Sequence, residues 1–441
     1  MNKLFFSARD IRDYLTLVTD VKNLSDISDF PPNCLLLTDS PEVKYVLSEL
    51  MSTYEHYAEG IDSPIIGETS IEGLRLDFNF GLRIDVPEGN FHLTIGDFDS
   101  GMVFLDEDLS NVRLISVEKY FIRWQVKVFL DGEEILSHVL NLKGQPVLIT
   151  LIKKMALGDA LAFLPSVAEF KRYHNCDLKI WLPEYLREIA AHLYPDIVQT
   201  DTVDFESYAT YSYEMYGGNF PFCFDFRNTP IDRVANFILG VNTLPAKPIF
   251  RPTAPRICAE PYVCISVFAS SNRKAWLYPD GWDIVVDYLK SIGYRVFCID
   301  KQAEQNNDDM TIRKPEGAED FTGDFPLMER ANMIYHAEFF IGLSSGLSWL
   351  ADAVNCPVVM ICGFSQNWCE FHTPYRVANR LVCNGCFNDL RVKFLKKLCP
   401  YHHGTPRELE CQKKISPLQV LDAVERLIME KKLTPPNTRK S

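Results

Sequence analysis

The 441-residue sequence has no apolar run near the roughly 18–20 residues that a membrane-spanning helix needs. Its opening, Met1 to Asp10, holds too short an apolar stretch for the core of a secretory leader. Positive charge is also scarce. Lys and Arg number 45 against 59 Asp and Glu, a net charge of −14. That balance argues against a general nucleic-acid or anionic-membrane surface, but leaves room for a local basic pocket around one phosphorylated ligand. The expectation is a cytoplasmic protein with no nucleic-acid partner and no stable membrane association. A disulfide framework is disfavoured too, because thirteen cysteines is an odd number and no leader precedes them. Internal repeats and low-complexity segments are lacking. Apolar residues are plentiful, at 47%, enough for a large core.

The periodicity divides the chain. Residues 1–62 form an extension of unclear role, in which Ser40 caps an expected helix through Val43, Val46, Leu47 and Leu50. From about residue 71 the period is two: Leu74, Leu76, Phe78 and Phe80 alternate with Arg75, Asp77 and Asn79. Asp131-Gly132 is a hairpin-turn signal. Residues 63–145 therefore read as a small antiparallel β domain, a scaffold or assembly surface. At Pro146 a continuous apolar run, Val147 to Ile152, reads as a buried parallel strand. Strands and helices then alternate over 146–250 and, after the Pro-bearing stretch Leu244–Pro261, again over 251–365. This is the grammar of two doubly wound α/β halves. It suits a glycosyltransferase, a dehydrogenase, a periplasmic-type binding protein or an epimerase. Residues 366–415 hold a cysteine cluster. Residues 416–441 form a C-terminal helix and tail, opened by Ser416-Pro417.

Several residues could carry chemistry. Gly342-Leu343-Ser344-Ser345-Gly346-Leu347 lies between an expected strand and helix, where backbone N–H groups and the helix dipole attract phosphate. An ordinary helix cap has the same look. Lys274 and Trp276 follow the first strand of the second half. They fit a diphosphate contact, or an exposed loop lysine beside a core-edge tryptophan. Asp159, after the first strand of the first half, fits a general base or a helix-cap carboxylate. Asp97-Phe98-Asp99 and Asp106-Glu107-Asp108 match an Asp-x-Asp metal pattern, but fall where β turns are expected. Cys383, Cys386, Cys399 and Cys411 carry the strongest spacing signal. A C-x2-C pair with two later thiolates closes a tetrahedron around iron or zinc, and His402 or His403 could replace one thiolate.

From about residue 71 to 425 the chain resembles the autotransporter strand-loop-strand O-heptosyltransferases. The matching segments are Leu157-Gly158-Asp159-Ala160-Leu161-Ala162, Leu76-Asp77-Phe78-Asn79, Lys119-Tyr120-Phe121-Ile122-Arg123 and Tyr208-Ala209-Thr210-Tyr211. Further matches are Glu260 to Ile265, Gly317-Ala318-Glu319-Asp320, Gly342 to Leu347, Thr373-Pro374-Tyr375-Arg376-Val377 and the four cysteines. The resemblance implies a GT-B fold with two Rossmann-like halves, a small β domain and an iron-holding finger. It implies inverting transfer of heptose from ADP-glycero-manno-heptose to serines of an autotransporter adhesin passenger, with one structural iron per subunit in a bacterial homododecamer. Asp159 would then be the base. Lys274, Trp276, Gly342, Leu343, Ser344, Ser345, Gly346, Leu347, Thr210 and Gly323 would hold the donor. Where the family carries an aromatic and two asparagines after the loop lysine, this chain reads Lys274-Ala275-Trp276-Leu277-Tyr278-Pro279. A lipopolysaccharide-core heptosyltransferase and a non-enzymatic GT-B scaffold are the alternatives. Elemental analysis of the purified protein should find about one iron or zinc per chain, reddish if ferric and colourless if zinc. Finding neither metal would sink the four-cysteine site.

Overall fold

The computed structural model describes residues 2–6, 60, 62–116, 122–151, 155–213, 226–241, 247–307, 310–392 and 399–437. The expected helix through Val43 and Leu50, and residues 119–121, lie outside the described residues.

Two large sheets carry the fold. The first has eight strands, in the order β1-β6-β3-β2-β12-β9-β10-β11. These are β1 (Asn2–Phe6), β2 (Arg75–Asn79), β3 (Arg83–Val86), β6 (Val112–Ser116), β9 (Pro146–Thr150), β10 (Asp177–Trp181), β11 (Val198–Thr200) and β12 (Ala209–Ser212). The second has six strands, all parallel, in the order β17-β14-β13-β18-β19-β20. They are β13 (Tyr262–Ile265), β14 (Arg295–Cys298), β17 (Glu319–Asp320), β18 (Phe340–Leu343), β19 (Val358–Ile361) and β20 (Tyr375–Val377). Separate from both are a four-stranded antiparallel sheet of β4 (Phe91–Asp97), β5 (Val103–Leu109), β7 (Trp124–Leu130) and β8 (Glu133–Val139), and a hairpin of β15 (Glu304–Asn307) and β16 (Met310–Arg313).

The expected small β domain is thus shared between two sheets. Strands β4 and β7 alternate buried and half-buried residues as the period-two pattern predicts. The turn to β8 uses Asp131 and Gly132, both at positive φ, as a two-residue hairpin of this hand requires. Strands β2, β3 and β6 instead join the first α/β sheet through β2, which pairs in parallel with β12 at Ala209↔Phe78 and Thr210↔Asn79. The alternation misleads because Asp77 and Asn79 of β2 are also buried. Asp77 accepts from Arg83 Nε at 2.8 Å and Nη2 at 2.6 Å. Asn79 donates to Asp77 and to the carbonyls of Phe205 and Ser207, and accepts from Thr210 Oγ1 at 2.6 Å. These polar groups satisfy one another, so the strand is internal on both faces.

In the α/β part most helices lie where the periodicity places them, Ile231–Leu239 being one it did not mark. Helix α1 (Leu157–His174) buries the expected stripe Leu161, Leu164, Val167 and Phe170. Helices α2 (Glu184–Leu193) and α3 (Ile231–Leu239) complete the first unit. Helices α4 (Gly281–Ser291), α5 (Leu327–Tyr335) and α6 (Gly346–Ala353) flank the second sheet. A short helix α7 (Glu410–Lys413) precedes α8 (Pro417–Glu430), which opens on a complete capping box between Ser416 and Gln419. The Pro-bearing stretch expected to be a linker is packed down. Phe250 is buried, its N–H donating to the Ala353 carbonyl at 3.1 Å, and Lys247 pairs with Asp352 at 2.6 Å.

Removing one partner of the buried Asp77–Arg83 pair leaves an uncompensated charge. Asp77→Ala should therefore cost about 3–5 kcal/mol of stability. Thermal unfolding checks this, and the Asp77→Ala/Arg83→Ala pair should lose less than the sum of the singles.

Candidate active site

In an open parallel sheet, ligands sit beyond the carboxyl ends of the strands. The loops leaving β13, β14 and β18 do meet there. They line a cavity of about 820 Å³ with Ser266, Asp300, Lys301, Ser345, Gly346 and Leu347. Its opposite wall comes from the first unit, through Leu157, Glu184, Tyr185 and Glu188.

Two glycines set the width of the junction. A Cβ on Gly158 would lie 2.7 Å from the Trp349 ring, and one on Gly346 would lie 2.7 Å from Leu157 Cβ. The first turns of α1 and α6 therefore touch, and Asp159 lies in that turn of α1, near Lys274 and Glu370 but not on the cavity lining itself. Ala156 is the N-cap of α1, so Asp159 is in the first turn rather than at the cap. Burial pushes its carboxyl above the usual carboxylate range. The Lys274 ammonium pulls it down and Glu370 pushes it up. Tyr185 is pushed up to about 12 by burial and by Asp159, and its hydroxyl donates to the Met155 carbonyl.

The turn itself splits its serines. Ser344 is buried and donates to the Glu370 carboxylate, which also accepts from Ser365 and from Arg376 at 2.9 Å. Ser345 caps α6 in extended conformation, and its hydroxyl has no protein partner. Gly346 and Leu347 follow at the helix start, on the cavity wall. Gly323 also lines the cavity. It is held by its N–H to the Asp300 carbonyl at 3.1 Å and by its carbonyl, which accepts from buried Arg330 at 2.9 Å.

Other expected donor residues are elsewhere. Trp276 is in the core, stacked edge-on with Trp282, its indole N–H donating to the Ile415 carbonyl at 2.8 Å. Thr210 is buried in the Asp77–Asn79 network. Gly342 and Leu343 belong to β18 and do not reach the cavity. Lys274 is half-buried beside Asp159 rather than on the cavity lining, with its ammonium 5.5 Å from the Phe364 ring centre.

Three contributors were not foreseen. Asp300 is buried at the end of β14 and accepts from Ser266 Oγ at 2.6 Å and the Val267 N–H at 2.7 Å. Burial raises it to about 6 against those bonds. Its place after a central parallel strand was a usable signal. Tyr185, in the first turn of α2 after β10, offered the same positional signal as Asp159, whereas Glu370 lies in no strand-to-helix turn and gave none.

Asp97 and Asp99 are at the end of β4 and in the following turn, whereas Asp106 and Asp108 are within strand β5, where turns were expected. Asp99 pairs with Arg123, and His92 bridges Asp106 and Asp108 at 2.9 Å each. None of these carboxylates lines the cavity.

The four finger cysteines are free thiols that sense one another's charge. Burial first, and then its cysteine neighbours, raise Cys411. Burial, partly offset by Arg273, raises Cys386 to about 11. Among the described residues the ligand atoms that come within 4.8 Å of one another are those of Cys383, His402 and Glu410; the four cysteines do not themselves form such a group. His402 is therefore beside the cluster, as its sequence position suggested.

Comparison with known proteins bears on family and fold. Residues 71–132 match the family model for the N-terminal domain of glycosyltransferase TibC. Residues 240–401 match that for glycosyltransferase family 9 (heptosyltransferase). The autotransporter heptosyltransferase BAHTCr of Citrobacter rodentium is 41% identical over 368 residues, covering 81% of this chain and 89% of its own. TibC of Escherichia coli is 40% identical, covering 81% and 90%. A crystal structure of TibC, described as an iron-containing dodecameric glycosyltransferase, matches with a TM-score of 0.79 at 38% identity, covering 84% of this chain and 99% of that one. TibC has also been solved with ADP-D-β-D-heptose. BimC of Burkholderia thailandensis, described as an inactive autotransporter heptosyltransferase, is 32% identical, covering 82% and 88%. The α/β fold is accordingly that of the family 9 glycosyltransferases.

The contact between α1 and α6 has a simple test. Gly346→Val places methyls against Leu157 and should cost about 1–3 kcal/mol by overpacking. Thermal unfolding measures that, and Leu157→Ala should relieve part of it.

Proposed function

The chain belongs to the autotransporter heptosyltransferase family, and we propose that it transfers heptose from ADP-heptose to serine hydroxyls of an autotransporter passenger. The observation that carries this reading is the contact between the starts of α1 and α6. It sets Asp159 beside Lys274 and the Ser345-Gly346 turn, next to a cavity walled by both α/β units. The two units are read as the acceptor and nucleotide-sugar halves of a GT-B enzyme, at 146–250 and 251–365. The finger is 366–415, and the β region 63–145 serves scaffolding or assembly.

In the proposed reaction Asp159 takes the proton from the acceptor serine. The serine oxygen forms a bond to the anomeric carbon on the face opposite ADP. The bond from that carbon to the diphosphate oxygen breaks, and its electron pair leaves on ADP. Lys274 and the N–H groups of Gly346 and Leu347 bear the developing charge, which is worth most in a dry site. Ser345, whose hydroxyl lacks a protein partner, is a further donor to phosphate. Raised by burial, Asp159 is a stronger base than a free carboxylate, and it works only when deprotonated.

Cys383, Cys386, Cys399 and Cys411 would hold one iron, with His402 next to Cys383. Bound there, the metal fixes the finger as a closed structural site. A homododecamer in the bacterial cytoplasm completes the reading, on the strength of the likeness to TibC. A second reading, a non-catalytic relative, draws on BimC and on the altered loop after Lys274.

Asp159→Ala should keep its fold and ADP affinity while losing about 10²–10⁴-fold in transfer, measured by intact mass of a passenger fragment with ADP-heptose. The acid limb of the wild-type rate should lie above the ordinary carboxylate range. Activity disappears as pH falls through the raised value, because the base is then protonated. Glu370→Gln removes a charge that raises Asp159 and should move that limb to lower pH. Wild-type protein that binds ADP yet modifies no passenger fragment would favour the non-catalytic reading.

A further inference from the structure

The cysteine finger touches the Lys274 loop at several points, among them the Arg273 side chain, which reaches Cys386, and one buried amide. Gln412, next to Cys411 on the single turn α7, is fully buried. Its Nε2 donates to the carbonyl of Arg273, and its main-chain carbonyl accepts from the Leu277 N–H at 3.3 Å. Trp276, between them, donates to the Ile415 carbonyl at 2.8 Å. The segment 273–277 is thus held at both ends and in the middle by residues 412–415. Its inner turn is closed by the N–H of Lys274 to the Ser271 carbonyl at 2.9 Å.

The other side of the loop rests on Phe364, whose ring carries Arg273 at 5.1 Å and Lys274 at 5.5 Å. That residue is also tied to the finger. Gly363 lies so close to Cys411 that a Cβ there would be 2.3 Å from the Cys411 carbonyl oxygen, and the Gly385 N–H donates to the Gly363 carbonyl at 2.8 Å. The Phe364 ring packs on Phe387, next to Cys386.

An apolar residue would fill the Gln412 site at less cost, because its Oε1 is buried with no partner. The bond from Nε2 to the Arg273 carbonyl is what the amide contributes there. From these contacts we propose that Gln412 is a positioning residue, which transmits the fixed geometry of the cysteine finger to Lys274 and so sets the diphosphate contact. The inference deepens the reading above and rests on it only for the role given to Lys274.

The test uses full-length protein with its metal content measured. Hydrogen exchange of segment 271–277 is compared in wild type, Gln412→Ala and the isosteric Gln412→Glu, which cannot donate. Exchange should rise about tenfold in both variants, the worth of one buried hydrogen bond. The same rise should follow when metal is stripped from wild type. Unchanged exchange in both variants would overturn the clamp, whatever the protein binds. ADP affinity by calorimetry then separates positioning from general softening. Gln412→Ala should weaken ADP about tenfold, and adding it to Lys274→Ala should weaken ADP no further than Lys274→Ala does. Full additivity, or an unchanged affinity, would remove Gln412 from the positioning of Lys274. If wild type does not bind ADP, the transferase reading fails and the exchange result still decides the clamp.

Discussion

The candidate site depends on the close approach of two helix starts. Gly158 faces the Trp349 ring and Gly346 faces Leu157, so α1 and α6 meet with a single side chain between them at each of those points. Each helix follows a parallel strand, and each presents unpaired N–H groups and the positive end of its dipole. Two such ends in contact repel modestly unless something negative lies near both. Asp159 supplies one negative charge in the first turn of α1. The open cavity beside Ser345 and Gly346 has room for more, so the arrangement is electrostatically incomplete without an anion.

Buried charge is handled in a consistent way across the molecule. Arg83 is fully buried but chelates Asp77. Arg376 is bound to Glu370 and Ser365, and Arg330 to three carbonyls. Each guanidinium fastens a segment the site needs: the β2 junction, the Ser344 turn and the Gly323 loop. Asp159 differs. Its carboxyl is shifted by burial first and then by Lys274 and Glu370, and no side-chain hydrogen bond among the described residues fastens it, a freedom that suits a group that must gain and lose a proton.

The α/β architecture was legible because its signals are local. Continuous apolar runs gave the parallel strands, and the stripe at Leu161, Leu164, Val167 and Phe170 gave α1. Helix α3 went unread although Pro230 precedes it and Gly240, in left-handed conformation, ends it. The burial of Asp77 and Asn79 was not legible, since a sequence shows a polar residue but not the Arg83 and Thr210 that partner it. Turn residues such as Ser345 and Gly346 were legible from their place between strand and helix. Trp276 and Thr210 were not separable from them, because a sequence does not show that these side chains are buried away from the cavity. Glu370 is brought in by folding from 26 residues beyond Ser344, and no local pattern marks it.

A relative described as inactive shares 32% identity with this chain, so family membership and overall fold do not by themselves decide activity. What decides it is whether base, cation and anion-binding turn are held in one frame. In this chain the loop that carries the cation is anchored in the core by Trp276, and the turn is anchored by Glu370. A decayed site would have no reason to preserve costs such as a buried carboxylate beside another, or a hydroxyl at Ser345 without a protein partner. These features weaken the folded state and are useful only to a ligand, which favours a working transferase over an inherited shell.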